Sequence, residues 1–454
     1  MEFRRLAQGA AWTAVAGALL VLGLWLVVVA INWRDEAPSA DALRLQRAVD
    51  ERPAVADEAN AYVLVLGLGV PAQADPLEWG MRRKAFIDAS AERPAVAGTA
   101  LPGEEHDFAQ HRTAATKALI GACREGNRGC LSRMQDDPEA VAAWLDSERW
   151  LLERYGRLIG LAQWRETVPT GMNLLFPPWS PTTDGQRLLL LQAWQHARQG
   201  ESDAARDLLQ RDLVFWRMLL RSSDTLITKM VATAAIRRHF TMGNLVLREL
   251  AQQGVDASPP PSWNMPIDRA ERSMHRAYAG EWQFSKAAVN SSFEMDGEDT
   301  LLRNRVYGWA LAPLFKRQAT INLLAANLVR LSDGLDVEPG DMPRALSEMA
   351  RPPDGGLPSL YNPVGQMISR IGYDAYMPYA VRASDLEGVR CAATVAADIR
   401  RNPGSDARAI DERLRDATQA GPCADTPFAR DEAAGSIVFQ GLQPPPHGRH
   451  TFVL

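Results

Sequence analysis

Hydrophobic and polar positions divide the chain into an unbroken apolar run, a short polar stretch, a long region of helical periodicity and a short alternating tail. From Leu6 to Trp33 there is no charged residue. A bilayer crossing needs roughly 20 apolar residues. Inside lipid the backbone must satisfy its own hydrogen bonds, so the run AWTAVAGALLVLGLWLVVVAINW is predicted to be a transmembrane helix over 6–33. Trp12 and Trp33 lie near its ends, where amphipathic rings favour the interface. Gly17 and Gly23 are too far apart for a GxxxG dimer face. The run also exceeds the roughly 7–15 apolar residues of a signal peptide. The passable cleavage site at Ala30 after Val28 lies inside it, so a retained anchor is expected.

Beyond the anchor, residues 34–56 are polar and alanine-rich, and read as a stalk leading away from the membrane. The remainder, 57–454, reads as one helical domain, with a sub-boundary near 255–265 where Pro259-Pro260-Pro261 stiffens the chain. Tyr62–Leu68 is too short for periodicity to separate strand from helix. A helix is predicted over 75–90, then a loop over 92–107. Asp137 caps the next helix with Pro138 at its first position, and an apolar stripe runs from Val141 to Leu161. The segment TVPTGMNLLFPPWSPTTDG then predicts an extended loop. The clearest element is a helix hairpin over 188–220, turning at Gly200 and similar to one tetratricopeptide unit, although no second copy recurs at 34 residues. Further helices are predicted over 224–254, 266–288, 301–331, 384–401 and 405–419. Two short strands, GSIVFQGL and RHTFVL, close the domain as a β-hairpin. The expected fold is thus mainly α: a transmembrane helix, an irregular helical bundle with tetratricopeptide-like hairpins, and a small C-terminal β-hairpin.

Charge orients the anchor. Arg4 and Arg5 precede it and Arg34-Asp35-Glu36 follow it, so the positive-inside rule puts residues 1–5 in the cytoplasm and the large domain in the periplasm. With 454 residues and 46% hydrophobic positions, the chain can bury a large core. A formal charge of −5 argues against nonspecific nucleic-acid binding. Lys84, Lys117, Lys229, Lys286 and Lys316 are the only lysines, and the uniform arginine bias reads as codon composition. The 13 tryptophans read as core packing.

Reactive motifs are absent: the chain has no G-x-S-x-G, P-loop, Rossmann fingerprint or H-E-x-x-H. Glu104, Glu105, His106, Asp107 and His111 cluster, but their spacing does not bring two imidazoles onto one helix face, so no metal site is expected. Glu271 and His275, spaced i, i+4, with Glu281 beyond, read as a surface pair that could also serve as acid and base. No catalytic, cofactor or metal residue is assigned. In the proline-rich loop, Leu174, Leu175, Phe176 and Trp179 have two readings. They pack back onto the helices, which the rarity of large exposed patches favours, or they form an interaction patch. Four cysteines allow three pairings; proximity in sequence pairs Cys123 with Cys130 and Cys391 with Cys423, in keeping with an oxidising compartment. C-x6-C is not a usual zinc spacing.

The segments NAYVLVLGLGVPAQADP, WLLERYGRLIGLAQWRE, RDLVFWRMLLRSSDTLITKM, YNPVGQMI and VRASDLEGVR resemble an uncharacterised family of single-span, membrane-anchored helical envelope proteins of Gram-negative bacteria. That resemblance implies a recurring architecture and carries no activity, ligand or catalytic residue. The functional expectation is a non-enzymatic binding or scaffold module of the inner membrane. Its partners would be the lipid bilayer, through the N-terminal helix, and an envelope protein. The alternative is an envelope hydrolase or transferase whose site is assembled from distant residues. A polar cleft converging on Glu271, His275 or Glu281 would favour the enzyme; an apolar groove around 174–179 would favour the binder.

Overall fold

The computed structural model describes residues 2–90, 99–103, 106–124, 128–171, 175–291, 312–350, 360–371, 373–401, 407–419, 423, 426, 428–444 and 448–454. The chain is mainly helical, with an N-terminal apolar helix and a small C-terminal sheet. Helix α1, Glu2–Ile31, contains Trp12–Ile31, a stretch long and apolar enough to cross a membrane and unburied by the rest of the protein.

The segment after α1 is docked to the body, which corrects the expectation of a stalk over 34–56. Asn32 ends the apolar stretch; its amide donates to the carbonyls of Val28 and Leu360 (2.8 and 2.7 Å) and its oxygen accepts from the N–H of Asn362 (2.6 Å). Asp35 accepts from the backbone N–H groups of Gln318 and Ala319 at 2.9 and 3.0 Å. Those N–H groups are orphan donors at a helix start, and the residue at that helix's own N-cap, Lys316, offers no acceptor, so Asp35 caps it from far away in sequence. Helix α2, Ala40–Asp50, capped by Ser39, then buries Ala42, Leu45 and Val49 against the body. An alanine-rich amphipathic stretch reads as solvated only until its partner surface is known.

Two hydrophobic clusters fill the body. The larger is built on α3 (Ala61–Gly67), α8 (Arg149–Leu158), α9 (Trp179–Arg198), α10 (Ser202–Ser222) and α11 (Leu226–Gln252). The ambiguous run at Tyr62 is therefore helical: α3 is capped by Asn60 and buried on every side, which is why it shows no amphipathic period. Helix α4, Pro76–Ser90, follows the predicted 75–90 closely and crosses α3 at paired glycines. A Cβ at Gly67 would lie 1.9 Å from the carbonyl oxygen of Pro76, and one at Gly80 would lie 1.9 Å from that of Val63. Helices α5 (Ala114–Ala122), α6 (Arg128–Asp136) and α7 (Pro138–Ser147) complete this side. Asp137 caps α7 with Pro138 at its start, as predicted, but the expected single helix breaks at Glu148, whose side chain is drawn into an ion pair with Arg112.

The hairpin turns at Gly200, which adopts φ +75°. Its first helix begins at Trp179, inside the segment expected to be loop, because Pro181 falls in the first turn, where a missing N–H does no harm. Helix α11 packs against both members, giving a three-helix core; nothing confirms a tetratricopeptide arrangement.

The smaller cluster joins α2, α13 (His275–Ser291), α14 (Arg317–Gly334), α15 (Met342–Met349) and the first turns of the long helix α17 (Tyr373–Arg401). The short helices α12 (Arg269–Arg272) and α16 (Pro363–Ile371) stand at its edges. Instead of one helix over 266–288, the chain breaks at Ser273 between α12 and α13. Helix α17 starts well before the expected Ser384, because burial of Tyr373, Ala380 and Val381 outweighs the interior Pro378. Its later residues enter the larger cluster, so one helix ties both together. Within residues 255–265, Ala257 and Trp263 belong to the larger cluster; the switch to the smaller one falls between Ile267 and Met274.

The tail forms three strands rather than two: β1 (Phe428–Asp431), β2 (Ser436–Gln440) and β3 (Arg449–Val453), antiparallel in that order. Ile437 opposes Phe452, and both are buried. The sheet closes on α17 where Gly388 leaves room for the Phe439 ring, and helix α18 (Ala407–Gln419) flanks β1. The sulfurs of Cys123 and Cys130 are 2.06 Å apart and those of Cys391 and Cys423 are 2.15 Å apart, the pairing that sequence proximity suggests.

Candidate functional site

The site is built where segments from both clusters meet at the start of α11. Thr225 caps that helix, accepting from the N–H of Thr228. The Glu166 carboxyl accepts from the N–H groups of Asp224 and Thr225 at 2.6 and 2.9 Å and from the hydroxyls of Thr225 and Thr228 at 3.0 and 2.5 Å. Asp224 in turn holds Arg276 at 2.7 Å and Arg52 at 2.7 Å. Burial, together with the Asp224 charge, pushes the Glu166 carboxyl up to about 7 against the pull of its hydrogen-bond donors. On the opposite wall Gly280 of α13 lies so close that a Cβ there would meet the carbonyl oxygen of Asp224 at 1.9 Å.

Past this junction the helices part and leave an apolar groove of about 540 Å³, within the roughly 300–1,000 Å³ common to small-molecule sites. Ile227, Met230, Val231 and Ala234 of α11 share one helical face and form one wall. Glu281 and Phe284 of α13 form a second, Tyr379 and Arg382 of α17 a third, and Pro169 and Phe176 close one end. The Tyr376 hydroxyl donates to the Glu281 carboxyl at 3.4 Å, and burial raises the pKa of that carboxyl.

The residues singled out in the sequence are dispersed. Glu271 is buried, paired with Arg217 through both oxygens at 2.8 Å, and closes a capping box with Asp268. His275 opens the next helix; its Nδ1 lies 3.2 Å from the Ser332 hydroxyl, and burial lowers its pKa. Glu281 alone reaches the groove, so the three do not converge. Among the described residues no group of three metal-ligating side chains occurs; Glu104 and Glu105 lie outside them. Of the apolar loop residues, Leu175 packs on the larger cluster, Trp179 packs there too and stacks on Trp164 at 5.9 Å, and Phe176 lines the groove. None of these three is exposed, and Leu174 lies outside the described residues.

Two buried features had no local signal in the sequence. Asp212 accepts from the hydroxyl of Tyr155 (2.6 Å) and the amide of Gln186 (3.1 Å), and lies 2.8 Å from Nδ1 of His239. The Trp263 indole donates to Nε2 of His239 at 2.8 Å, which leaves the ring proton on Nδ1, facing Asp212. An Asp–His pair can orient a general base, but this imidazole is wholly buried and its outer nitrogen already accepts from Trp263, so the network is structural. Lys229 is also buried, donating to the carbonyls of Leu220 and Glu271 at 2.8 and 2.6 Å, and burial lowers its pKa to about 7. Apart from Leu220, nine residues before Lys229, these partners are spaced by more than twenty residues, so only the fold brings them together. In comparisons with protein families, curated proteins and solved structures, nothing matches this chain.

Proposed function

We propose that this chain is an inner-membrane-tethered, periplasm-facing helical binding module of a Gram-negative cell envelope, and that the groove beside α11 is its binding surface. The groove itself carries this reading: an accessible apolar cavity walled by both core clusters, among whose lining residues Glu281 and Arg382 bear the charges. The resemblance to single-span envelope proteins, the two arginines before the span and the two cysteine pairs support the location. An envelope hydrolase or transferase, the alternative, would need reactive groups that meet in a cleft. Here Glu271 is occupied by Arg217 and His275 faces Ser332, both apart from the groove.

Two measurements test this reading. An alkaline phosphatase fused after Leu454 is expected to be active, because that enzyme folds only outside the cytoplasm; an inactive fusion would reverse the topology. In nanodiscs, the full chain is expected to bind a short neutral chain such as octanol above an empty-disc blank in calorimetry. Met230→Trp should fill the groove and abolish that heat. Binding that survives the substitution would move the site elsewhere.

A further inference from the structure

We infer that the groove beside α11 takes a single-chain amphiphilic amine, its ammonium seated on Glu281 and its apolar chain laid along Ile227, Met230 and Ala234. The inference rests on reading the groove as a binding surface.

Several carboxylates drawn into this body have an arginine: Asp224 has Arg52 and Arg276, Glu271 has Arg217, Glu148 has Arg112 and Glu387 has Arg390. Glu166 and Asp212, which have none, are each met by three or more hydrogen-bond donors instead. Glu281 is half-buried in an apolar wall, yet no cation lies within 4 Å of it among the described residues, and Tyr376 supplies one long hydrogen bond. A desolvated carboxylate without a counter-charge is costly, and a bound cation offsets that cost. Arg382 on the same groove is turned to other partners. Its Nε lies 3.5 Å from the side-chain oxygen of Gln443, and its guanidinium lies 5.5 Å from the Tyr379 ring centroid.

The remaining lining fits the same ligand. Phe176 and Phe284 add aromatic rings to the lining, and such rings attract an ammonium. The α11 face offers only apolar side chains, which suit a chain and leave polar ligands unpaired. The volume is that of a small-molecule site, with room for one chain rather than a two-tailed lipid. An anionic amphiphile would place its head group against Glu281 and be disfavoured.

Calorimetry on the full chain in nanodiscs, with octylamine, octanol and octanoate as probes and empty discs as blank, decides the matter. Octylamine is expected to bind at least about tenfold more tightly than octanol, the scale of one desolvated charge contact. Glu281→Gln should erase that preference, and Glu281→Asp, which keeps the charge, should retain part of it. Far-ultraviolet circular dichroism confirms that each variant is folded. Equal affinity for octylamine and octanol, both lost in Met230→Trp, would overturn the amine assignment and leave the binding groove standing. Tightest binding of octanoate would give the head group to Arg382 and also overturn it. If none of the three probes binds, the amine site and the groove reading fall together.

Discussion

Glu166 and Lys229 show how single buried groups tune this protein. Each is wholly enclosed near the start of α11, and burial pushes their pKa values toward each other, up to about 7 for the carboxyl and down to about 7 for the ammonium. For Glu166, the folded state holds a proton that the unfolded state has released between its ordinary 4.5 and about 7. Its contribution to stability is full below pH 4.5 and is lost as pH rises through about 7. Lys229 has the opposite sign: its contribution is full above 10.5 and is lost as pH falls through about 7. Urea unfolding of the protein and of Glu166→Gln should therefore show a stability difference that shrinks, on the order of 3 kcal/mol, between pH 4.5 and 7. A constant difference across that range would remove Glu166 as the titrating group. Arginine gives the complementary lesson. The bias read from the sequence as compositional supplies structural anchors: Arg154 donates to the carbonyls of Leu68, Val70, Pro71, Ala72 and Ala74, and Arg390 is buried between Glu387 and the Trp263 carbonyl. Five donors in a rigid fork suit a loop rich in unpaired carbonyls, but no local spacing reveals which arginine turns inward.

At the scale of elements, close approach decides more than propensity. Helices α3 and α4 touch backbone to backbone through Gly67 and Gly80, so a methyl group at either must push carbonyls aside. Gly80→Ala is expected to lower stability by about 1–3 kcal/mol, although alanine is the better helix former. Gly121→Ala is the control: that glycine lies in α5 with nothing within 4 Å of a new Cβ, and the change should stabilise by roughly 0.4–1 kcal/mol. Chemical denaturation reads both, and a neutral Gly80→Ala would show that the two helices can part without loss. A helix start marked by a capping residue was legible, as at Asp137 for α7. Breaks caused by distant partners were not: Glu148 leaves the helical path for Arg112, and Asp35 caps a helix some 283 residues away.

Across the whole molecule, long-range ties join the N-terminal apolar helix, the two clusters and the sheet. Asn32 and Asp35 fasten the exit of α1 to residues near 318 and 362. At the other end, Val453 is held through its carbonyl by Asn244 of α11 and Arg400 of α17. The Cys391–Cys423 bond closes a loop of 32 residues between α17 and the segment entering the sheet. Loop entropy assigns it about 3.7 kcal/mol and the shorter Cys123–Cys130 bond about 2.5 kcal/mol, both upper values. Cys391→Ala with Cys423→Ala is therefore expected to lower the unfolding midpoint more than the other pair of substitutions. Non-reducing peptide mapping checks the premise; four freely alkylating thiols would remove both bonds and the oxidising location with them.

By itself the sequence determined what composition and local spacing control. The apolar run from Leu6 to Trp33, the Gly200 turn, the span of α4, the capped start of α7 and the cysteine pairing all depend on neighbours within a few tens of residues. Only the tertiary structure decided that residues 40–50 dock instead of forming a stalk, that Tyr62–Leu66 is helical, and that a third strand completes the tail. It alone placed Phe176, Glu281 and Tyr379 around one cavity while burying Glu271 elsewhere. The physical reason is the same in each case. Burial and hydrogen-bond satisfaction are settled by partners far away in the chain, and local pattern records that a face must be covered without saying by what.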